Sequence, residues 1–315
     1  MTSSLKSLLS PAVWPGFFLA GMAASAFAFS SSHPLLVFVG FYLAGVLALG
    51  ALEKLVPHQE DWLRSDGEAM NDIAHTLLTK GAVEALSAIA TLTPLISASI
   101  LQPILNFKPG LWPEHWPLFF QVVLALIIAE FGLYWAHRIA HERLFFWRFH
   151  ALHHSVEKLW VVNTGRFHVM DSLFKVCLSQ VPLYLMGAPL SVFLWVGAVT
   201  AYIGLLTHCN IRVKTGPLDY VFSTPNLHRW HHSREIWESN TNYGENLVLF
   251  DLIFSTYYNP AKAPPKDIGI SGRVAKGFVG QILQPFSQRG VAEILGKQPI
   301  ESNLPHEAIS EQKTA

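Results

Sequence analysis

Apolar runs of membrane-spanning length constrain this chain more than any other feature. Crossing the hydrocarbon core of a bilayer takes about 20 mostly apolar residues in a helix. Segments 12–29 and 35–52 meet that requirement, joined by a short Ser-Ser-Ser-His-Pro turn. A third run covers 81–105 and contains Glu84 and Pro94, and a fourth covers 116–134. Residues 173–186 and 190–206 then form two adjoining apolar helices around Gly187-Ala188-Pro189, which reads as a hairpin dipping into the bilayer and returning. Composition agrees: 14% of the 315 residues are charged and mean hydropathy is +0.31, where soluble domains carry about 25% charged residues. The expected fold is an all-α membrane protein of about four transmembrane helices plus a membrane helical hairpin, with a cytosolic histidine-rich helical cap.

Basic residues set the orientation. Lys54, Arg64 and Lys80 flank the second loop, and Arg138, Arg143, Arg148, Lys158 and Arg166 follow the fourth span, whereas the loop over 106–115 holds only Lys108. The positive-inside rule therefore puts the second loop, the histidine-rich segment and the C-terminal region in the cytosol. Ala26-Phe27-Ala28 resembles a signal cleavage site, but Lys6 is the lone charge before it and the apolar run is long, so an uncleaved span is expected. The formal charge is zero, 22 basic against 22 acidic residues, and offers no field for nucleic acid. Cys177 and Cys209 make no disulfide framework. Three regions follow: 1–110, N-terminal spans and a cytosolic loop; 111–262, a catalytic region; and 263–315, a cytosolic tail that is polar and aperiodic after Gly296.

Ten of the 15 histidines lie between His137 and His232. His137 and His141 stand at i, i+4 in one cluster, His150, His153 and His154 form a second, and His228, His231 and His232 a third. On a helix, positions i, i+3 and i+4 fall within an arc of about 100°, so each triplet is expected to converge on one point. Thr224 and Pro225 supply a cap and a first-turn residue for the third cluster. Eight imidazoles without a cysteine exceed what one ion needs. Two ions follow, and iron is the metal that can change oxidation state and activate oxygen. His208 and His168, at the two ends of the hairpin, are added as candidate ligands, with a hydrogen-bonding or capping role as the alternative for His168. His33, His58, His75, His115 and His306 are isolated and read as surface or interfacial residues. Carboxylates that orient ligating histidines by accepting the second ring proton are sought among Glu130, Glu142, Asp171, Asp219, Glu235, Glu245 and Asp251. Glu130, Asp171 and Asp251 head that set, Glu130 because an ionisable group inside an apolar span needs a partner.

Apolar spans interrupted by HRxxH, HxxHH and, after a membrane hairpin, a second HxxHH resemble the fatty acid hydroxylase superfamily, also called the sterol desaturase family. The resemblance covers roughly 130–258 and includes Thr224-Pro225-Asn226-Leu227-His228-Arg229-Trp230-His231-His232-Ser233 and Asn242-Tyr243-Gly244. It implies a non-haem di-iron oxygenase that uses O2 to hydroxylate or desaturate a membrane lipid, with electrons from a separate donor, a ferredoxin or cytochrome b5 with its reductase. Hydroxylases with a full third histidine pair carry a second histidine four residues beyond the position of His208; here that residue is Arg212. Hydroxylation of a fatty acyl, sterol or other lipid C–H bond is the favoured reaction, desaturation at the same site the alternative. A metal transporter should hold its ligands near the membrane midplane on broken helices, and a bis-histidine cytochrome should pair single histidines across spans. The adjacent pairs 153–154 and 231–232 suit neither. Trp135, Phe145, Phe146, Trp147, Trp160 and Trp230 either line a substrate cavity or anchor the interface. Short loops favour a bacterial inner membrane over the endoplasmic reticulum.

Overall fold

The computed structural model describes residues 3–92 and 110–296. Among these the chain is helical, with three isolated bridges and no strand. Helices α1 (Ser3–Phe29) and α2 (Pro34–Leu55) form an antiparallel pair, α1 beginning its apolar stretch at Ser10. Helices α3 (Ala69–His75) and α4 (Gly81–Leu92) follow, joined by a wider π-turn over Thr76–Lys80. The long α5 (Leu118–Glu142) turns a corner at the extended Arg143 into α6 (Leu144–His154). Next come α7 (Val169–Met186) and α8 (Leu190–His208), linked through Gly187 in the left-handed conformation at φ 82°. Among the described residues five short α-helices follow: α9 (Pro225–His231), α10 (Ile236–Ser239), α11 (Leu249–Ile253), α12 (Phe278–Leu283) and α13 (Gln288–Leu295).

Among the described residues, four helices are long and apolar enough to cross a membrane: Ser10–Phe29, Pro34–Leu55, Leu118–Glu142 and Leu190–His208. The first two and the fourth expected spans, and the returning limb of the hairpin, are therefore present as helices. Of the third span only Gly81–Leu92 is described; the rest of it, Lys108 and the tail beyond Gly296 lie outside the described residues. The first limb of the hairpin, α7, does not reach span-like apolarity, because it carries Asp171 and Lys175 on its buried face and Pro182 within it.

The interior shows how the segments between the spans are tied to them. Helix α5 packs along α7 so closely that a Cβ on Gly132 would lie 2.0 Å from the Leu178 carbonyl oxygen, so only glycine fits there. Trp14, Leu49, Val56, Leu205, Leu206 and Ile211 form an apolar core where α1, α2 and α8 meet. At the end of α2 the buried Glu53 accepts hydrogen bonds from the backbone N–H groups of Val161 (2.8 Å) and Asn210 (2.9 Å), pinning two loops to the same span. Arg166 is buried against Asp72 (2.7 Å) and Glu68 (3.0 Å), which joins α3 to the segment between α6 and α7.

Candidate metal centre

Nine of the ten candidate histidines come together, in two adjacent groups. His137, His141, His150, His154 and His231 form one group; His153, His208, His228 and His232 form the other, with the facing ring nitrogens within 4.8 Å of one another in each. The triplets do not each converge on one point, as the sequence suggested. Each divides: His150 and His154 serve the first group and His153 the second, while His228 and His232 serve the second and His231 the first. The reason is angular. Positions i and i+4 differ by about 40° and share a target, whereas i+3 and i+4 differ by about 100° and point to either side.

His137 and His141 sit on the last two turns of α5 and His208 ends α8, so the three come from the ends of spans. Five rings of the set have an oxygen facing Nδ1: the carbonyls of Tyr243 for His137 (2.8 Å) and Thr241 for His231 (2.8 Å), Asp171 for His150 (2.8 Å), Asn240 for His141 (3.2 Å) and Asn163 for His208 (3.0 Å). These oxygens accept the Nδ1 proton, which leaves each Nε2 with a free lone pair. Nε2 of His137, His150 and His231 is buried with no hydrogen-bond partner. Other Nε2 atoms face one another: His141 and His154 at 3.1 Å, His208 and His228 at 2.9 Å, and His232 with both His153 (3.2 Å) and His228 (3.1 Å).

Crowded, buried lone pairs of this kind repel unless a cation lies between them, so the donor set fits metal ions. The set is all imidazole, without a cysteine, which suits a redox metal and is unlike the usual structural zinc site. Protonation is arranged accordingly. Burial first, and then the neighbouring imidazoles, hold His153, His154, His228 and His232 well below the ordinary histidine range, and burial lowers His231 to about 3. All are neutral, the form that ligates a metal. For Asp171, burial acts to raise the pKa, but Lys175 and His150 outweigh it and hold the carboxyl at about 2.

His168 does not join either group. Its Nδ1 accepts from the Met170 N–H (3.1 Å) as the N-cap of α7, and its Nε2 donates to the Ile282 carbonyl (3.0 Å), so no lone pair remains for a metal. Arg212, in the position noted above, is exposed. Of the three leading carboxylates, Asp171 alone meets a ligand ring. Glu130 accepts from the backbone N–H groups of Glu245 and Asn246 and from the Asn246 side chain. Asp251, pushed up to about 6 by burial, accepts from the N–H groups of Tyr243 (2.8 Å) and Gly244 (2.7 Å). Both brace the loop that presents the Tyr243 carbonyl rather than touching a histidine. Glu142 pairs with Arg138, Asp219 accepts from the Thr224 hydroxyl, and Glu245 pairs with Lys175. Thr224 occupies the N-cap of α9, but that bond to Asp219 takes the place of a side-chain cap. His75, expected at the surface, is fully buried and bonded to Gln281.

Asn242 was missed as a functional position. Its backbone lies in the left-handed region at φ 53°, which turns the flanking carbonyls of Thr241 and Tyr243 toward His231 and His137. Its side chain locks that turn by donating to the carbonyls of Leu227 (3.2 Å) and Tyr258 (2.8 Å) and accepting from the Tyr258 N–H (2.8 Å). The Asn-Tyr-Gly motif was visible, but its role was not. Aromatic rings close the outer sides. Phe167 stacks on His153 with centroids 4.2 Å apart, and Trp147 lies 5.2 Å from His141 and 5.5 Å from His154.

Comparison with known proteins agrees with this geometry. The fatty acid hydroxylase family model matches residues 122–256, which include every histidine of the two groups. The chain is 55% identical over 314 residues to the ornithine lipid hydroxylase OlsE of Rhizobium tropici, covering 100% of this chain and 95% of that protein. It is 31% identical over 218 residues to alkylglycerol monooxygenase of Danio rerio, covering 67% of this chain and 45% of that enzyme. The Delta(7)-sterol 5(6)-desaturase ERG3A of Gibberella zeae is 30% identical over 164 residues, 48% of this chain and 40% of that protein. No solved structure matches the chain.

Proposed function

Because the chain belongs to the fatty acid hydroxylase family, we propose that it is a di-iron, O2-dependent membrane monooxygenase that hydroxylates a lipid, with an ornithine lipid as its substrate. The observation that carries the reading is the pair of adjacent, all-imidazole groups at the ends of spans. We take the nine grouped histidines as the ligands. Two iron ions bound there would supply the redox chemistry of O2 activation, which inserts one oxygen atom into a C–H bond and reduces the other to water with two electrons from a donor.

The protein's own groups do the positioning. Asp171, ionised, holds the Nδ1 proton of His150, and the carbonyls of Thr241 and Tyr243 hold those of His231 and His137, so each ring keeps the tautomer that frees Nε2. Phe167 and Trp147 shield the rings from water. Exposed apolar side chains on the spans, such as Leu36, Leu47 and Phe119, face lipid, so an apolar substrate can reach the site from the bilayer. The basic flanks favour a cytosolic site, where a ferredoxin or a cytochrome b5 with its reductase would deliver electrons. For a protein so similar to a bacterial one, the inner membrane is the fitting location.

The sterol desaturase relative keeps a second reading open: the same site could remove two hydrogens rather than insert oxygen. Lipid mass spectrometry on cells with and without the gene, under 18O2, separates the two. Gain of one labelled oxygen on an ornithine lipid supports the proposal. Loss of two hydrogens without label supports desaturation, and an unchanged lipid profile in cells producing iron-loaded protein refutes both.

A further inference from the structure

Beside the histidines stands a row of four charged side chains, none of them a candidate metal ligand. Lys80 and Glu84, at the start of α4, pair at 3.3 Å, and Lys175 of α7 pairs with Glu245 at 2.5 Å. Lys80 and Lys175 both place their ammonium over the Phe167 ring, 5.7 and 4.2 Å from its centre, which brings the two pairs side by side in the row. Side-chain exposure falls along it, from 47% at Glu84 and 36% at Lys80 to 23% at Glu245 and 7% at Lys175. The inner end touches the walls of both histidine groups. The Lys175 ammonium lies 4.2 Å from the centre of the Phe167 ring that stacks on His153, and Glu245 Oε1 is 3.9 Å from His137 Nδ1.

The row thus leads from the surface to the centre and presents both signs of charge, and at its inner end Lys175 also faces Asp171 at 3.8 Å. Its inner pair is ion-paired, yet Lys175 Nζ and Glu245 Oε1 are buried with no well-formed hydrogen bond. An ammonium has three protons to donate, so beyond Glu245 and Asp171 the Lys175 ammonium keeps donor capacity for a ligand. Such an arrangement is better explained by a ligand than by stability.

We propose that this row receives the headgroup of the lipid substrate, and that the headgroup carries both an ammonium and a carboxylate, the two charges an ornithine unit offers. The carboxylate is taken by Lys80 and Lys175 and the ammonium by Glu84 and Glu245, which holds the lipid beside the histidine groups. A purely anionic headgroup would meet Glu84 and Glu245, and a neutral one would gain nothing from the row. The proposal rests on the reading that the substrate is a membrane lipid.

The test is equilibrium binding of ornithine lipid, phosphatidylglycerol and diacylglycerol to the iron-loaded protein in detergent, followed by native mass spectrometry. Lys80→Met and Glu84→Gln, both away from the histidines, should each weaken ornithine lipid binding about tenfold while iron content and diacylglycerol binding stay unchanged. Equal weakening for all three lipids, or ornithine lipid affinity unaltered in every variant, overturns the proposal. A loss in Lys80→Met alone, shared with phosphatidylglycerol, also overturns it, since the row would then be an anion site. If the wild type binds ornithine lipid with the expected variant pattern but does not oxidise it, the functional reading fails and the headgroup site stands. If it oxidises the lipid and the variants bind normally, the reverse holds.

Discussion

Replacing Asn242 tests whether a backbone turn, rather than a carboxylate, orients two of the histidines. Asn242→Gly keeps access to φ 53° but loses three side-chain hydrogen bonds to Leu227 and Tyr258. At about 1 kcal/mol each the cost is roughly 3 kcal/mol, more if the freed backbone groups stay dry. Asn242→Ala loses the same bonds and adds about 1–2 kcal/mol for placing a Cβ in the left-handed region. Both should let the Thr241 and Tyr243 carbonyls drift from His231 and His137, which by analogy with other outer contacts of metal ligands weakens metal binding about 10–100-fold. The assays are equilibrium unfolding in detergent and iron titration of the chelator-stripped protein. The order wild type, Gly, Ala should hold in both. Glycine and alanine variants of equal stability would refute the role of the backbone angle. Normal iron affinity in a destabilised variant would refute the link from the turn to the histidines.

Asp171→Asn should lower metal affinity about 10–100-fold, because a neutral amide holds the His150 proton less firmly than a carboxylate; unchanged affinity would remove Asp171 from the site. His168→Asn should keep both metals and cost about 1–3 kcal/mol of stability, since asparagine can also cap α7 but leaves the Ile282 carbonyl without its donor, whereas His228→Ala should lose metal; iron loss in the His168 variant would restore it as a ligand. Iron-supplied protein should hold two iron atoms per chain by elemental analysis, and one or none in folded protein would contradict the paired groups. A cysteine at the exposed Glu114 should react with an impermeant reagent from outside and one at the exposed Glu157 only from the cytosol; the opposite pattern would invert the topology.

What was legible in the sequence was what is local. Span-length apolarity is a property of each segment alone, so α1, α2, α5 and α8 could be read directly, as could the hairpin of α7 and α8, whereas the face of α7 that carries Asp171 and Lys175 is hidden in a hydropathy average. The histidines were legible because their spacing matches helical geometry, but which helix shares which ion is decided between elements. The split of His153 from His154 therefore needed the packing of α6 against α9. His168 looked like its neighbours because a cap and a ligand can be the same residue type at the same place. The carbonyls of Thr241 and Tyr243 had no signal at all, since every residue carries one. Glu130 was rightly singled out as a buried carboxylate with an obligation, but the obligation is to the backbone of Glu245 and Asn246.

The crosswise division of the two triplets has a consequence for assembly. His153–His154 and His231–His232 are bonded neighbours that serve different groups, so an ion captured by one group fixes the backbones that also present rings to the other. If two ions bind there, the first would bear most of the cost of holding the shared backbones of α6 and α9, and the second would find its rings already aimed. Loading should therefore be cooperative, with singly occupied protein scarce at half-saturating iron. The same coupling makes damage indivisible. Loss of one ring loosens its covalent neighbour, and both ions should leave the protein over nearly the same range of chelator.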